Sequence, residues 1–158
     1  MPWHFLDDRA VADLAFSATG ATLEELFQST VDALVNAMVA DLGSIVPRER
    51  REIMLTAETV DNLLFGLMQK VIWSKDNDGL LLRVESIRVT AGSGGALPIA
   101  SLTAVLKGDR IDPKRHELAA DVKAVTLYRG RIEPVQDGWE AEVALDVQAP
   151  DESGAFAS

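Results

Sequence analysis

The chain has 158 residues, 47% hydrophobic and 25% charged, the proportions of an ordinary globular protein and enough chain to bury a core unaided. That excludes a disordered, collagen-like or coiled-coil chain, and the absence of cysteine excludes disulfides, thiolate metal sites and a cysteine nucleophile. A formal charge of −10 disfavours strong direct binding to a phosphate backbone and favours cations or a basic partner, although residues 107–131 hold seven bases against four acids.

From the N-terminus, Trp3 and His4 precede Asp7 and Asp8, where a secretory signal needs basic residues and an apolar run. No stretch approaches the roughly 18 apolar residues of a membrane span. A cytoplasmic protein without a membrane partner is expected. Residues 11–18 alternate as a strand, with Ala12, Leu14, Phe16 and Ala18 on one face and Asp13, Ala15 and Ser17 on the other. Thr22 and Glu25 have capping-box spacing. Leu23, Leu26, Phe27, Val31, Leu34, Val35 and Met38 then recur at helical spacing. A second helix is predicted from Val60 to about Lys75, capped by Thr59 and followed by a turn at Asn77-Asp78-Gly79.

Strands are predicted near 51–57, 80–90 and 101–107, and more distinctly at 120–128 and 139–147. In 120–128, Val122, Ala124, Thr126 and Tyr128 face one way and Lys123, Val125 and Leu127 the other. A turn at Gln136-Asp137-Gly138 joins these last two strands as a hairpin. Consecutive strands with short connections imply an antiparallel sheet. The fold class is α+β, with two helices packed on one face of a mainly antiparallel β-sheet.

Few residues offer chemistry. Gly92-Ser93-Gly94-Gly95 precedes a strand, not a helix, and so lacks the geometry of a phosphate-binding loop. The two histidines, His4 and His116, cannot build a dyad or a zinc site alone and read as ordinary surface or loop residues. Asp13 and Asp146 interrupt strands, where Asp is disfavoured. If those strands are neighbours, their carboxylates converge as oxygen donors for a hard divalent cation, calcium or magnesium/manganese. The alternative is two solvated acids on an open face. Lys123 either pairs with a carboxylate, reaches a partner, or guards a solvent-facing strand.

The sequence resembles the archease family. The resemblance rests on Phe5-Leu6-Asp7, Ala12-Asp13-Leu14-Ala15-Phe16, and Thr22-Leu23-Glu24-Glu25-Leu26-Phe27. It continues through the loop from Gly108 to His116 (Gly-acid, Asp-Pro, His) to Val122-Lys123-Ala124-Val125-Thr126, Gly138-Trp139 and Leu145-Asp146-Val147. It implies a single archease-like domain over residues 1–147, followed by a flexible tail over 148–158. It also implies a non-catalytic activator, or chaperone-like cofactor, of the tRNA-splicing type of RNA ligase, promoting guanylylation and multiple turnover. The family's divalent cation maps onto Asp13, Asp146 and the Val147 carbonyl, and its activity-linked lysine onto Lys123. His116, Asp7 and Asp8 are further candidates for functional or partner contact. Ala10 stands where the family histidine is expected, and its first acid is recovered only by shifting to Asp7 or Asp8. Two other readings stay open: a binding module for another RNA-modifying enzyme, and a metal-dependent hydrolase built on Asp13 and Asp146.

Overall fold

The computed structural model describes residues 2–6, 14–91, 99–127, 131–150 and 156. Its elements run β1 (Trp3–Leu6), β2 (Leu14–Gly20), α1 (Leu23–Met38), a 3-10 turn (Leu42–Ser44), β3 (Glu49–Ala57), α2 (Val60–Asp78), β4 (Leu80–Thr90), β5 (Ala100–Arg110), β6 (Asp121–Leu127), β7 (Glu133–Val135) and β8 (Gly138–Gln148). All strand pairings are antiparallel. The strands divide into two sheets, one ordered β1-β2-β8-β6 with β7 also on β8, the other β3-β5-β4.

The α+β class is as expected, but the helices meet two sheets where the sequence suggested one. α1 packs on β2 and β8 of the first sheet and on β4 of the second; α2 reaches β6 of the first and β3, β4 and β5 of the second. The physical reason lies in α1, which is buried on every side from Ser29 to Val35. Its apolar stripe predicts one buried face. The opposite face is closed by polar residues that find partners inside. The Thr30 hydroxyl donates to the Leu26 carbonyl at 2.7 Å, and Arg83 of β4 forks onto the Asp32 carboxylate at 2.9 and 3.3 Å. Satisfied in this way, polar side chains can be buried at little cost.

The helix ends follow local chemistry. Thr22 accepts the Glu25 backbone N–H at 3.1 Å, while the Glu25 carboxylate reaches back to the Ala21 N–H at 2.8 Å. Thr59 caps α2 by accepting from Asn62 N–H at 3.0 Å. Asn77 and Asp78 are not a turn but the last turn of α2; only Gly79 leaves it, in the left-handed region at φ 64°, which glycine tolerates without strain.

Gln136-Asp137-Gly138 is a hairpin turn, but it joins β8 to the short β7, which the sequence reading missed, rather than to β6. Pro134 in the middle of β7 hides the strand from propensity arguments. At Gly138 a Cβ would lie 2.2 Å from the Gly20 carbonyl oxygen, so the hairpin closes onto β2 only because that side chain is missing.

Candidate functional site

The site is built at one end of the β6–β8 pair. Along it, Val122 opposes Val147 and Ala124 opposes Asp146, leaving Lys123 as the extra residue of a β-bulge. A bulge shifts the side-chain period by one. Val122, Val125 and Leu127 are accordingly buried, whereas Lys123, Ala124 and Thr126 are exposed. This corrects the strict alternation expected for 120–128, which put Lys123 on the same face as Val125 and Leu127. Directly opposed residues point to the same side of a sheet, so Lys123 emerges on the open face that Asp146 also shares.

Beneath Lys123 lies a buried charge network. Asp121, 1% exposed, places Oδ2 2.7 Å from the Lys123 ammonium, an ion-pair contact without hydrogen-bond geometry, and Oδ1 against the Lys75 ammonium. Lys75, on α2, is itself buried. It also donates to the Val122 carbonyl at 2.7 Å and meets Asp76 Oδ1 at 2.6 Å. Two cations and two carboxylates thus tie the last turns of α2 to the start of β6. The Phe156 ring centroid stands 5.7 Å from the Lys75 ammonium, and Phe156 packs against the core. The adjacent Asp121 carboxylate raises the Lys123 pKa, more than its partial burial lowers it.

Sequence reasoning did not find Asp121 and Lys75. The signal was present: Lys75 continues the buried stripe of Met68, Val71 and Ile72, and a lysine on a buried stripe requires a counter-charge.

The other candidates are placed as follows. Asp7, Asp8 and Asp13 lie outside the described residues. Leu14, the covalent neighbour of Asp13, pairs with Leu145, the neighbour of Asp146. Val147 faces Val122 across the ladder. Among the described residues no group of three or more His, Asp or Glu side chains is placed to hold a metal ion. Asp146 is a hard oxygen donor of the kind a divalent cation takes.

His116 belongs to the loop that follows β5. It is buried, its Nδ1 accepts the Asp112 backbone N–H at 3.0 Å, and its Nε2 lies 3.3 Å from Asp109 Oδ2 without hydrogen-bond geometry. With Nδ1 accepting, the neutral ring carries its proton on Nε2. Arg115 forks onto the buried Asp109 at 2.6 and 3.3 Å and reaches Asp112 at 3.2 Å. Arg115 holds the Asp109 carboxyl below its ordinary range against the opposing effect of burial. The Lys114 N–H and then Arg115 do the same for Asp112, and the two carboxylates together raise Arg115.

A groove of about 600 Å³ runs between α2, β3 and β6. Its lining includes Gly66, Lys70, Trp73, Asp76, Lys123 and Ala124. Trp73 is 50% exposed, with the Lys70 ammonium 4.4 Å over its ring.

Fold and site together define a class: α+β proteins in which two helices fill the space between antiparallel sheets and a bulged strand presents a lysine. Comparison with known proteins agrees. Residues 3–147 match the Archease protein family (MTH1598/TM1083). Protein archease of Methanosarcina acetivorans is 31% identical over 139 residues, covering 86% of this chain and 90% of that one. Protein archease of Pyrococcus abyssi is 28% identical over 137 residues, covering 86% and 93%. Among solved structures, Methanobacterium thermoautotrophicum protein 1598 superposes with a TM-score of 0.74 at 26% identity over 92% of this chain and 98% of the other. A crystal structure of an archease, possible chaperone, from Thermotoga maritima shares the fold at a TM-score of 0.52 and 17% identity, over 90% and 99%. The chain belongs to the archease family.

Proposed function

We propose that this protein is a non-catalytic, chaperone-like activator of an RNA ligase of the tRNA-splicing type, raising its guanylylation and turnover. The observation that carries the reading is the meeting of two family-matching segments. Val122-Lys123-Ala124 and Leu145-Asp146-Val147 are neighbours on β6 and β8, and the bulge delivers Lys123 to the exposed face of Asp146. The chaperone label of the Thermotoga maritima archease points the same way. The two histidines and the absence of cysteine, with His116 engaged by Asp112, leave little for an enzyme of its own.

On this reading Asp146, Asp13 and the Val147 carbonyl hold a divalent cation, calcium or magnesium/manganese, and the cation supplies positive charge at the contact with the ligase. Leu14, next in sequence to Asp13, pairs with Leu145, next in sequence to Asp146. The acidic chain meets a ligase that carries basic residues to hold RNA, which speeds encounter, and makes no strong nucleic-acid contact of its own. Among the described residues no helix is long and apolar enough to cross a membrane, and we place the protein in the cytoplasm.

The test is RNA ligation by the same organism's ligase with substrate in excess. Wild-type protein should carry the ligase past one turnover. Asp146→Ala, Asp13→Ala and Lys123→Ala should each lower the rate by about tenfold or more, the loss of roughly one interaction worth ~1.4 kcal/mol. An unchanged rate with all three variants overturns the site; no stimulation by wild-type protein overturns the function. The replacement of the family histidine by Ala10 favours one second reading, a related client among RNA-modifying enzymes. Co-purification with such an enzyme and not with the ligase would establish it.

A further inference from the structure

We infer that Asp121, itself anchored by Lys75, is a positioning residue that fixes the Lys123 ammonium on the open face of β6. The inference rests on the activator reading, in which Lys123 meets the partner.

The geometry makes the case. A lysine on an exposed strand face ordinarily sweeps a wide volume, and ordering it on binding lowers affinity. Lys123 does not have that freedom. Its ammonium sits 2.7 Å from a carboxylate that is 1% exposed. That carboxylate cannot follow it outward, because its second oxygen is held by the buried Lys75 ammonium. Lys75 is in turn fixed by the Val122 carbonyl and by Asp76. The chain of contacts runs from the rigid body of α2, through two buried groups, to one side chain that is 38% exposed. A first contact residue held by a second layer on a regular element is how functional side chains are preorganised.

Stability does not account for the arrangement. A buried ion pair is often replaceable by apolar residues of similar volume without loss. Lys75 already has Asp76 and the Val122 carbonyl as acceptors. The Asp121 oxygen not taken by Lys75 meets Lys123. The bulge adds to the same end, since it leaves Lys123 outside the ladder of paired residues, with Asp121 as its ion-pair partner.

The experiment is a mutant cycle read by ligase turnover and by folding. Asp121→Asn keeps the shape and removes the charge. Should it fail to fold, Lys75→Met with Asp121→Asn removes both buried charges together and takes its place. Lys123→Ala defines the full loss. The expected result is a folded protein, with far-UV circular dichroism like wild type and a lowered melting temperature because one member of a buried pair is gone, whose stimulation of turnover falls about tenfold. In the Lys123→Ala background the same change should have no further effect, because the two act as one unit. A second reading of the same cycle is the Lys123 side-chain amine signal in isotope-labelled protein, which should move in Asp121→Asn and stay in a control, Lys114→Ala. Full stimulation by a folded Asp121→Asn protein, beside an inactive Lys123→Ala, overturns the positioning role and leaves the activator reading intact. So does an effect that adds to that of Lys123→Ala. Full stimulation by Lys123→Ala overturns the positioning role and removes Lys123 from the assigned site, and no stimulation by wild type overturns both inferences.

Discussion

Two buried aspartates, Asp109 and Asp121, both sit on strands, both lie in the core, and both hold a cation from the nearby chain. Around Asp109 the contacts close a loop on itself, although Arg115 is 35% exposed. Both oxygens engage the Arg115 fork, His116 closes the side, and Asp112 ties the loop to itself. Around Asp121 one oxygen is spent internally on Lys75 and the other is handed outward to Lys123. A buried carboxylate therefore says little about function by itself; what distinguishes the two networks is where its second oxygen goes.

The comparison can be broken in several ways. The largest effect on folding should come from Asp109→Ala, which leaves Arg115 without its buried acceptor. Breaking a buried pair costs about 3–5 kcal/mol, reduced here to about 2–3 because Arg115 is partly open to water. Urea unfolding should record the loss, while the folded variant should still stimulate the ligase. Gly138→Ala should follow, at about 1–3 kcal/mol, since the new methyl meets the Gly20 carbonyl; thermal unfolding measures it.

The two networks should also fail at opposite ends of the pH scale. Asp109 has a lowered carboxyl pKa in the folded protein. Its stabilisation is complete above the ordinary carboxylate value of about 3.9 and is lost as pH falls through the lower folded value. Lys123 has a raised pKa. Its stabilisation is complete below the ordinary lysine value of about 10.4 and is lost as pH rises through the higher folded one. Melting temperatures against pH should show a flatter acid limb in Asp109→Asn and a flatter alkaline limb in Lys123→Met. The smallest effect on folding belongs to Lys123→Ala itself, within about 1 kcal/mol because the pair is partly exposed. That protein should melt like wild type and yet fail in the ligation assay, the sharpest contrast with Asp109→Ala.

Much of this was legible in the sequence, and the gaps have physical causes. Helix starts were readable because Thr22 and Thr59 act locally, through side chains that reach only three residues on. The end of α2 ran past its predicted position because Asn77 and Asp78 suit a turn and a helix end equally, and only Gly79 must leave the helix. The second sheet was hidden because α1 closes its polar side with partners from β4, which no single segment reveals. The bulge was written in the spacing of Val122, Val125 and Leu127, three and then two residues apart, but a rule of strict alternation passes over it. Lys123 and Asp146 stood out as charges on strands. Asp121 and Lys75 did not, since a charge at an element's end reads as solvated until the fold brings its partner.

The bulge carries one more consequence. Because Lys123 opposes no residue across the ladder, it is surplus to the architecture: the strand would hold its neighbours in register whatever side chain stood there. A substitution at position 123 gives up the ion pair with Asp121 but not the strand register, so the surface this strand offers a partner can change while the scaffold stands still.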